Sequence, residues 1–166
     1  MSNCRLCVLC FCAIAALTGA KGETTQLLYR PVDVEYSKQL DRIVMVSANP
    51  DQLHIYDPVR RTESAINLAR TPVSVTMSPS GLYAAVGHSA TISWVNLTSG
   101  GVEKTFSPAS IPGVTNIGPI AVGADFVYVS SSALFSIRIS TGVATLVATP
   151  SSSDDIALHP AGRSNC

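Results

Sequence analysis

Charge is scarce in this chain. Only 13% of its 166 residues are charged, and eleven Lys and Arg offset eleven Asp and Glu. A net charge of zero leaves no basic face for a phosphate backbone and no acidic tail, so nucleic-acid binding is excluded as a function class. The one close basic pair, Arg60-Arg61, falls in an expected hairpin tip and reads as a solvated turn. Hydrophobic runs long enough for a bilayer are also missing: the longest, residues 6–17, is shorter than the ~20 residues a spanning helix needs. Catalytic motifs are absent too. There is no His-x-x-x-His, no Gly-x-Ser-x-Gly and no Gly-x-x-x-x-Gly-Lys phosphate loop. What is present is apolar material, 46% of the residues, ample for a packed core and contrary to disorder.

Cysteine is confined. Four of the five, Cys4, Cys7, Cys10 and Cys12, lie in the first twelve residues and only Cys166 lies elsewhere. They interrupt Leu, Val, Phe and Ala and act as small hydrophobes, without the polar surroundings a metal site requires. Arg5 precedes this apolar stretch, and Thr18-Gly19-Ala20 places small residues before the polar Lys21-Gly22-Glu23. The pattern is that of a secretory signal peptide over residues 1–20, helical, with cleavage near Ala20. Secretion or periplasmic export is expected, with no stable membrane span after cleavage. An uncleaved anchor is the alternative, and Leu9 and Phe11 before Cys10 and Cys12 are wrong for a lipid-attachment site.

The remainder repeats itself. Pro72-Val-Ser-Val-Thr-Met-Ser-Pro-Ser-Gly81 returns 81 residues later as Asp154-Asp-Ile-Ala-Leu-His-Pro-Ala-Gly162, and a weaker copy, Pro31-Val-Asp-Val-Glu-Tyr-Ser37, lies 41 residues before the first. Self-similarity at ~40 residues, with strand-like sequence between the copies, predicts propeller blades of four strands each. In the first unit, short apolar or alternating runs at 32–36, 43–47, 53–56 and 63–68 are separated by turns rich in Asn, Asp, Pro and Ser. The second unit predicts strands at 73–77, 82–86, 91–95 and 102–106, with His88 in a turn. The third predicts them at 120–122, 126–130, 134–139 and 143–147. Asp57, Asn96 and Ser140 are expected to close equivalent third hairpins by accepting amides two residues on.

On these residues a resemblance emerges. Thr91-Ile-Ser-Trp-Val-Asn-Leu-Thr-Ser-Gly100 and Val75-Thr-Met-Ser-Pro-Ser-Gly-Leu-Tyr-Ala-Ala-Val86 resemble the third and inner strand segments of YVTN-type and WD-repeat β-propeller blades. The full Gly-His…Trp-Asp pattern is missing, because Trp94 is followed by Val95 and Asn96. The expected architecture is all-β: an incomplete propeller of four-stranded antiparallel blades at about 31–70, 72–107 and 119–149, with a further one starting at 155–166. Residues 21–30 would supply an orphan outer strand at 26–29, by likeness to 63–72. Three blades and their additions fall short of the ~4 a closed ring needs. Either a piece of a longer propeller protein or a half-ring closed as a homodimer is expected.

Candidate chemistry is sparse. His54, His88 and His159 stand at inequivalent places, so no ring of metal ligands is expected. Asp154 and Asp155 precede an inner strand at the channel mouth, where a cation or sugar contact is conceivable, but neighbours on an extended chain point apart and do not make an acid/base pair. Trp94 and Tyr56 are expected to pack between blades. Asn96-Leu97-Thr98 matches a glycosylation acceptor. No catalytic, cofactor or metal residues are assigned. Binding is expected through the loops at 107–118 and 150–155, with Asp154, Asp155, Pro112 and Asn116 as ligand-loop residues and a protein or small extracellular molecule as partner. The resemblance also implies a second possibility, part of a lactonase-like or cofactor-assisted oxidoreductase propeller whose active groups lie elsewhere.

Overall fold

The computed structural model describes residues 24, 26–107 and 116–149. The signal segment, Pro112, Asp154, Asp155, His159 and the further blade lie outside the described residues. Twelve strands form three four-stranded antiparallel sheets, each meandering in chain order. The first holds β1 (Pro31–Ser37), β2 (Arg42–Ala48), β3 (Asp51–Asp57) and β4 (Thr62–Asn67). The second holds β5 (Pro72–Met77), β6 (Tyr83–His88), β7 (Ile92–Asn96) and β8 (Gly101–Phe106). The third holds β9 (Ile120–Val122), β10 (Phe126–Ser130), β11 (Leu134–Arg138) and β12 (Ala144–Ala148).

The sequence of each strand matches its rank in the sheet. Second and third strands are covered on both faces and read as apolar runs, such as Ile43-Val-Met-Val in β2 and Ile92-Ser-Trp-Val in β7. Fourth strands are wet, and β8 exposes Val102, Glu103, Lys104 and Thr105. Inner strand β1 alternates, with Val32, Val34 and Tyr36 about half exposed and Asp33 and Glu35 on its other face.

Two apolar layers join the three sheets. Val44, Val46, Leu53 and Ile55 of the first sheet meet Val75, Ala84, Val86 and Val95 of the second. Ala85, Ile92, Trp94 and Phe106 on the reverse face of the second sheet meet Ile120, Val127, Val129 and Ile137 of the third. Each fully buried side chain of this size is stabilised by roughly 1.5–3 kcal/mol relative to exposure. Trp94, only 5% exposed, therefore packs between blades as expected, stacked on Tyr83 at 5.2 Å. Tyr56 does not. In register it is Ile55 that matches Trp94, and the period of two turns Tyr56 to the other face.

Hairpin chemistry confirms two of the three third-strand exits. Asp57 Oδ1 accepts the Val59 and Arg60 amides at 2.9 and 2.8 Å, and Asn96 Oδ1 accepts those of Thr98 and Ser99 at 2.9 and 3.0 Å. The Arg60 amide holds the Asp57 carboxyl below the ordinary carboxylate range, with Arg42 adding an ion pair at 2.8 Å. In the third sheet the equivalent position is Arg138, not Ser140. The Gly142 amide bonds Arg138 O as the Gly100 amide bonds Asn96 O. With no acceptor on Arg138, the turn uses Thr141 Oγ1 to receive the Val143 amide at 3.3 Å.

Residues 26–30 pair with no strand among the described residues. Instead Tyr29 lies over the outward face of the first sheet, stacked on His54 with ring centroids 3.6 Å apart. His88 is not in a turn but ends β6, 1% exposed.

Turns also link sheets. The hydroxyl of Ser37, fully buried at the end of β1, donates to Gly81 O at 2.6 Å in the equivalent turn of the next sheet. Gly81 has φ of +69°, and a Cβ there would stand 2.9 Å from Gln39 Cβ. Gly100 has φ of +71° with open space around it. Gly100→Ala should therefore lose only conformational ease, about 1 kcal/mol, whereas Gly81→Ala adds a clash between blades and should lose at least about 2 kcal/mol. Chemical unfolding of both variants checks this, and equal losses would contradict the inter-blade contact.

Candidate functional site

The topology sorts the loops by end. The β2–β3, β6–β7 and β10–β11 hairpins share one end of the blades with the β4–β5 and β8–β9 connections, which carry the chain from an outer strand to the next inner strand. The described parts of the long 107–119 connection, Ser107 and residues 116–119, are therefore at the same end as Asp51, Thr71, His88 and Ser89. Its descending side is pinned: the Ile117 amide donates to Ser89 O at 3.0 Å, and Ser131 Oγ donates to Asn116 O at 2.6 Å. Asn116, expected as a ligand-loop residue, sits exposed at this end with its carbonyl used as an anchor.

A groove of about 820 Å³ runs between the inner strands β1, β5 and β9. Asp33 and Glu35 line it, two residues apart on one face of β1. Asp33 is committed to the frame: Oδ1 accepts the Val34 amide and Oδ2 the Val75 amide, both at 2.8 Å, tying the first inner strand to the second. Thr76 Oγ1 repeats the device by donating to Ile120 O at 3.1 Å in the third. Burial, then the neighbouring Asp33 charge, pushes the Glu35 carboxyl above its ordinary value. Sequence reasoning passed over both acids because Val-Asp-Val-Glu reads as simple alternation. Carboxylates recurring every second residue on an inner strand were the available signal.

Behind Tyr29 lies a cluster with the distances of a nucleophilic triad. His54 Nε2 is 2.9 Å from Ser47 Oγ and Nδ1 is 2.8 Å from Glu63 Oε1, while Tyr29 donates to Glu63 Oε2 at 2.8 Å. The proton arrangement is wrong for attack. Ser47 Oγ donates to Pro50 O at 2.5 Å, so its proton is committed to that carbonyl and not to Nε2. Ser47 is also fully buried. The cluster is a structural network, and burial, then the hydrogen bond to Glu63 and its charge, set the Tyr29 hydroxyl well above its ordinary range.

The second sheet holds the mirror arrangement. His54 and Ser93 are equivalent, each three residues before the hairpin residues Asp57 and Asn96, and Ser47 and His88 are equivalent on the preceding strands. So serine and histidine trade places. His88 Nε2 lies 2.9 Å from Ser93 Oγ and Nδ1 lies 3.1 Å from Thr71 O. The carbonyl can only accept, so Nδ1 carries the proton and Nε2 takes that of Ser93, a neutral ring with both nitrogens satisfied. Burial holds the His88 pKa below its usual value. Among the described residues no three metal-ligating side chains cluster, and no helix is long and apolar enough to cross a membrane.

No family model and no curated protein sequence matches the chain. Solved structures do. The WD40 repeats of RRP9 superpose with a TM-score of 0.60 at 11% identity, covering 73% of this chain and 39% of theirs. Hydrazine synthase from Kuenenia stuttgartiensis gives 0.59 at 13%, covering 72% and 38%. AztD from Citrobacter koseri gives 0.57 at 18%, covering 74% and 36%. The chain has a β-propeller-like fold. It spans between a third and two fifths of the length of these structures, and identities this low carry the fold alone.

Two measurements check the site. Asp33→Ala leaves the Val75 amide without its acceptor and should cost about 1–3 kcal/mol in urea unfolding, with Asp33→Asn recovering part. A fully stable alanine variant would show that the inner strands do not need the link. For His88, the unfolded chain takes up a proton near the ordinary histidine value of 6.5 while the folded chain resists. Stability is thus complete above that pH and is lost as pH falls toward the depressed folded value. Melting temperature should drop more steeply between pH 6.5 and 5 for the parent than for His88→Gln, and identical slopes would rule out His88 as the source.

Proposed function

We propose that this protein is an exported propeller module that binds a protein or small extracellular ligand at the end carrying its longest connection. The observation that supports this is the 107–119 connection, far longer than any other between neighbouring described strands, whose described residues Asn116 and Ile117 are anchored at the end shared with the β4–β5 connection. Long loops on a rigid repeat frame are where recognition concentrates. Export rests on the signal pattern of residues 1–20. The polar groups in the inner groove favour scaffold over enzyme, because Asp33 and Thr76 already bond main chain of neighbouring strands.

A fusion of residues 1–22 to a reporter tests export: the reporter should leave the cytoplasm, and retention would refute this part. For binding, the protein is applied to arrays of peptides, glycans and metabolites alongside two variants, one with residues 108–115 replaced by a Gly/Ser linker and one with turn 98–100 replaced. Binding should be lost from the first variant and kept by the second. Equal loss from both, or no binding by the parent, would overturn the assignment to this end.

A further inference from the structure

The same end carries a groove of about 530 Å³ beside the β4–β5 connection, lined by Asp51, Arg70, Thr71 and Ser89 over an apolar wall of Ala69 and Val73. Its polar groups are not spent. Asp51 Oδ2 receives the Thr71 hydroxyl at 3.1 Å, whereas Oδ1 is shielded from solvent and has no donor among the described residues. A second orphan, Thr91 Oγ1, stands in the adjacent hairpin in a residue 8% exposed. Buried acceptors are nearly always paired in folded proteins, so an unpaired carboxylate oxygen marks a missing donor. Arg70 is exposed and makes no ion pair with Asp51 or any other described acid. Its planar fork suits a carboxylate.

An acid and a base that share a groove without meeting leave a place for a ligand carrying both charges. Resting on the reading of this end as the binding end, we propose that the groove takes a small zwitterion of the α-amino acid type, its ammonium on Asp51 and its carboxylate on Arg70. A simple cation would leave Arg70 unanswered and a simple anion would leave Asp51 so. The floor is firm, since His88 donates from Nδ1 to Thr71 O and fixes the main chain of the connection. The gate is soft. Thr71 is exposed, and rotation of its hydroxyl away from Oδ2 opens the carboxylate to the groove. Ala69 and Val73, both exposed, offer an apolar wall to the ligand side chain.

The test is calorimetric titration of the full chain with a panel of free α-amino acids, their C-terminal amides and their N-acetyl forms. The amide keeps the ammonium alone and the N-acetyl form the carboxylate alone. At least one free amino acid should bind, and both derivatives should bind about tenfold more weakly or worse, because each loses one charge-assisted pair. Asp51→Asn and Arg70→Gln should each weaken the free amino acid by a similar factor. Arg70 is exposed, so its variant keeps the fold and keeps the test decisive should Asp51→Asn unfold. Equal binding of all three chemical forms, no binding of any amino acid, or parental affinity in Arg70→Gln would overturn the proposal. If no amino acid binds while array binding still depends on 108–115, the zwitterion site fails and the binding end stands. If amino acids bind and 108–115 is irrelevant to the arrays, the reverse holds.

Discussion

The middle sheet has two apolar faces, each outer sheet has one turned toward it, and none can bury these alone. The contact of Val44, Val46, Leu53 and Ile55 with Val75, Ala84, Val86 and Val95 is thus the condition for either sheet to persist, and the layer around Trp94 does the same for the third. That requirement fixes the spacing at which inner strands meet. Asp33 can reach the Val75 amide and Thr76 the Ile120 carbonyl only because the faces behind them are packed. The same closeness forces glycine at position 81, where the turn of one sheet touches the turn of its neighbour.

Much of this fold was legible because burial on both faces writes itself as unbroken apolar runs, as in β2 and β7, and because wet outer strands such as β8 are polar. The Ser-Pro-Ser-Gly81 echo was visible for a related reason, as it records an inter-blade contact that recurs. The misreadings share a cause. Ser140 was favoured for its side chain, yet register with β10 makes Arg138 the hairpin residue. Tyr56 was matched to Trp94 by ring chemistry, and one residue of offset sends it to the opposite face. Local sequence reports propensity, whereas register and partners are properties of the assembled sheets.

The polar residues were less legible than the apolar ones. Ser47, His54 and Glu63 converge from three strands without any short motif, and only the direction of the Ser47 proton separates their network from a nucleophile. Asp51 and Arg70 come from a hairpin and a connection 19 positions apart that topology alone brings to one groove. His88 looked like a turn residue because Gly87 and Ser89 flank it. Two well-placed acceptor and donor partners are what admit it.

The traded Ser47–His54 and His88–Ser93 pairs bear on how such chains diverge. Laid column against column, the two blades show a mismatch at both positions, although the two-body contact is the same in each. Selection that acts on couples of side chains leaves single columns free to wander, and a repeat can lose most of its letter-by-letter likeness while keeping its bonds. Identities of 11% to 18% beside TM-scores of 0.57 to 0.60 likewise show a fold kept while its letters differ.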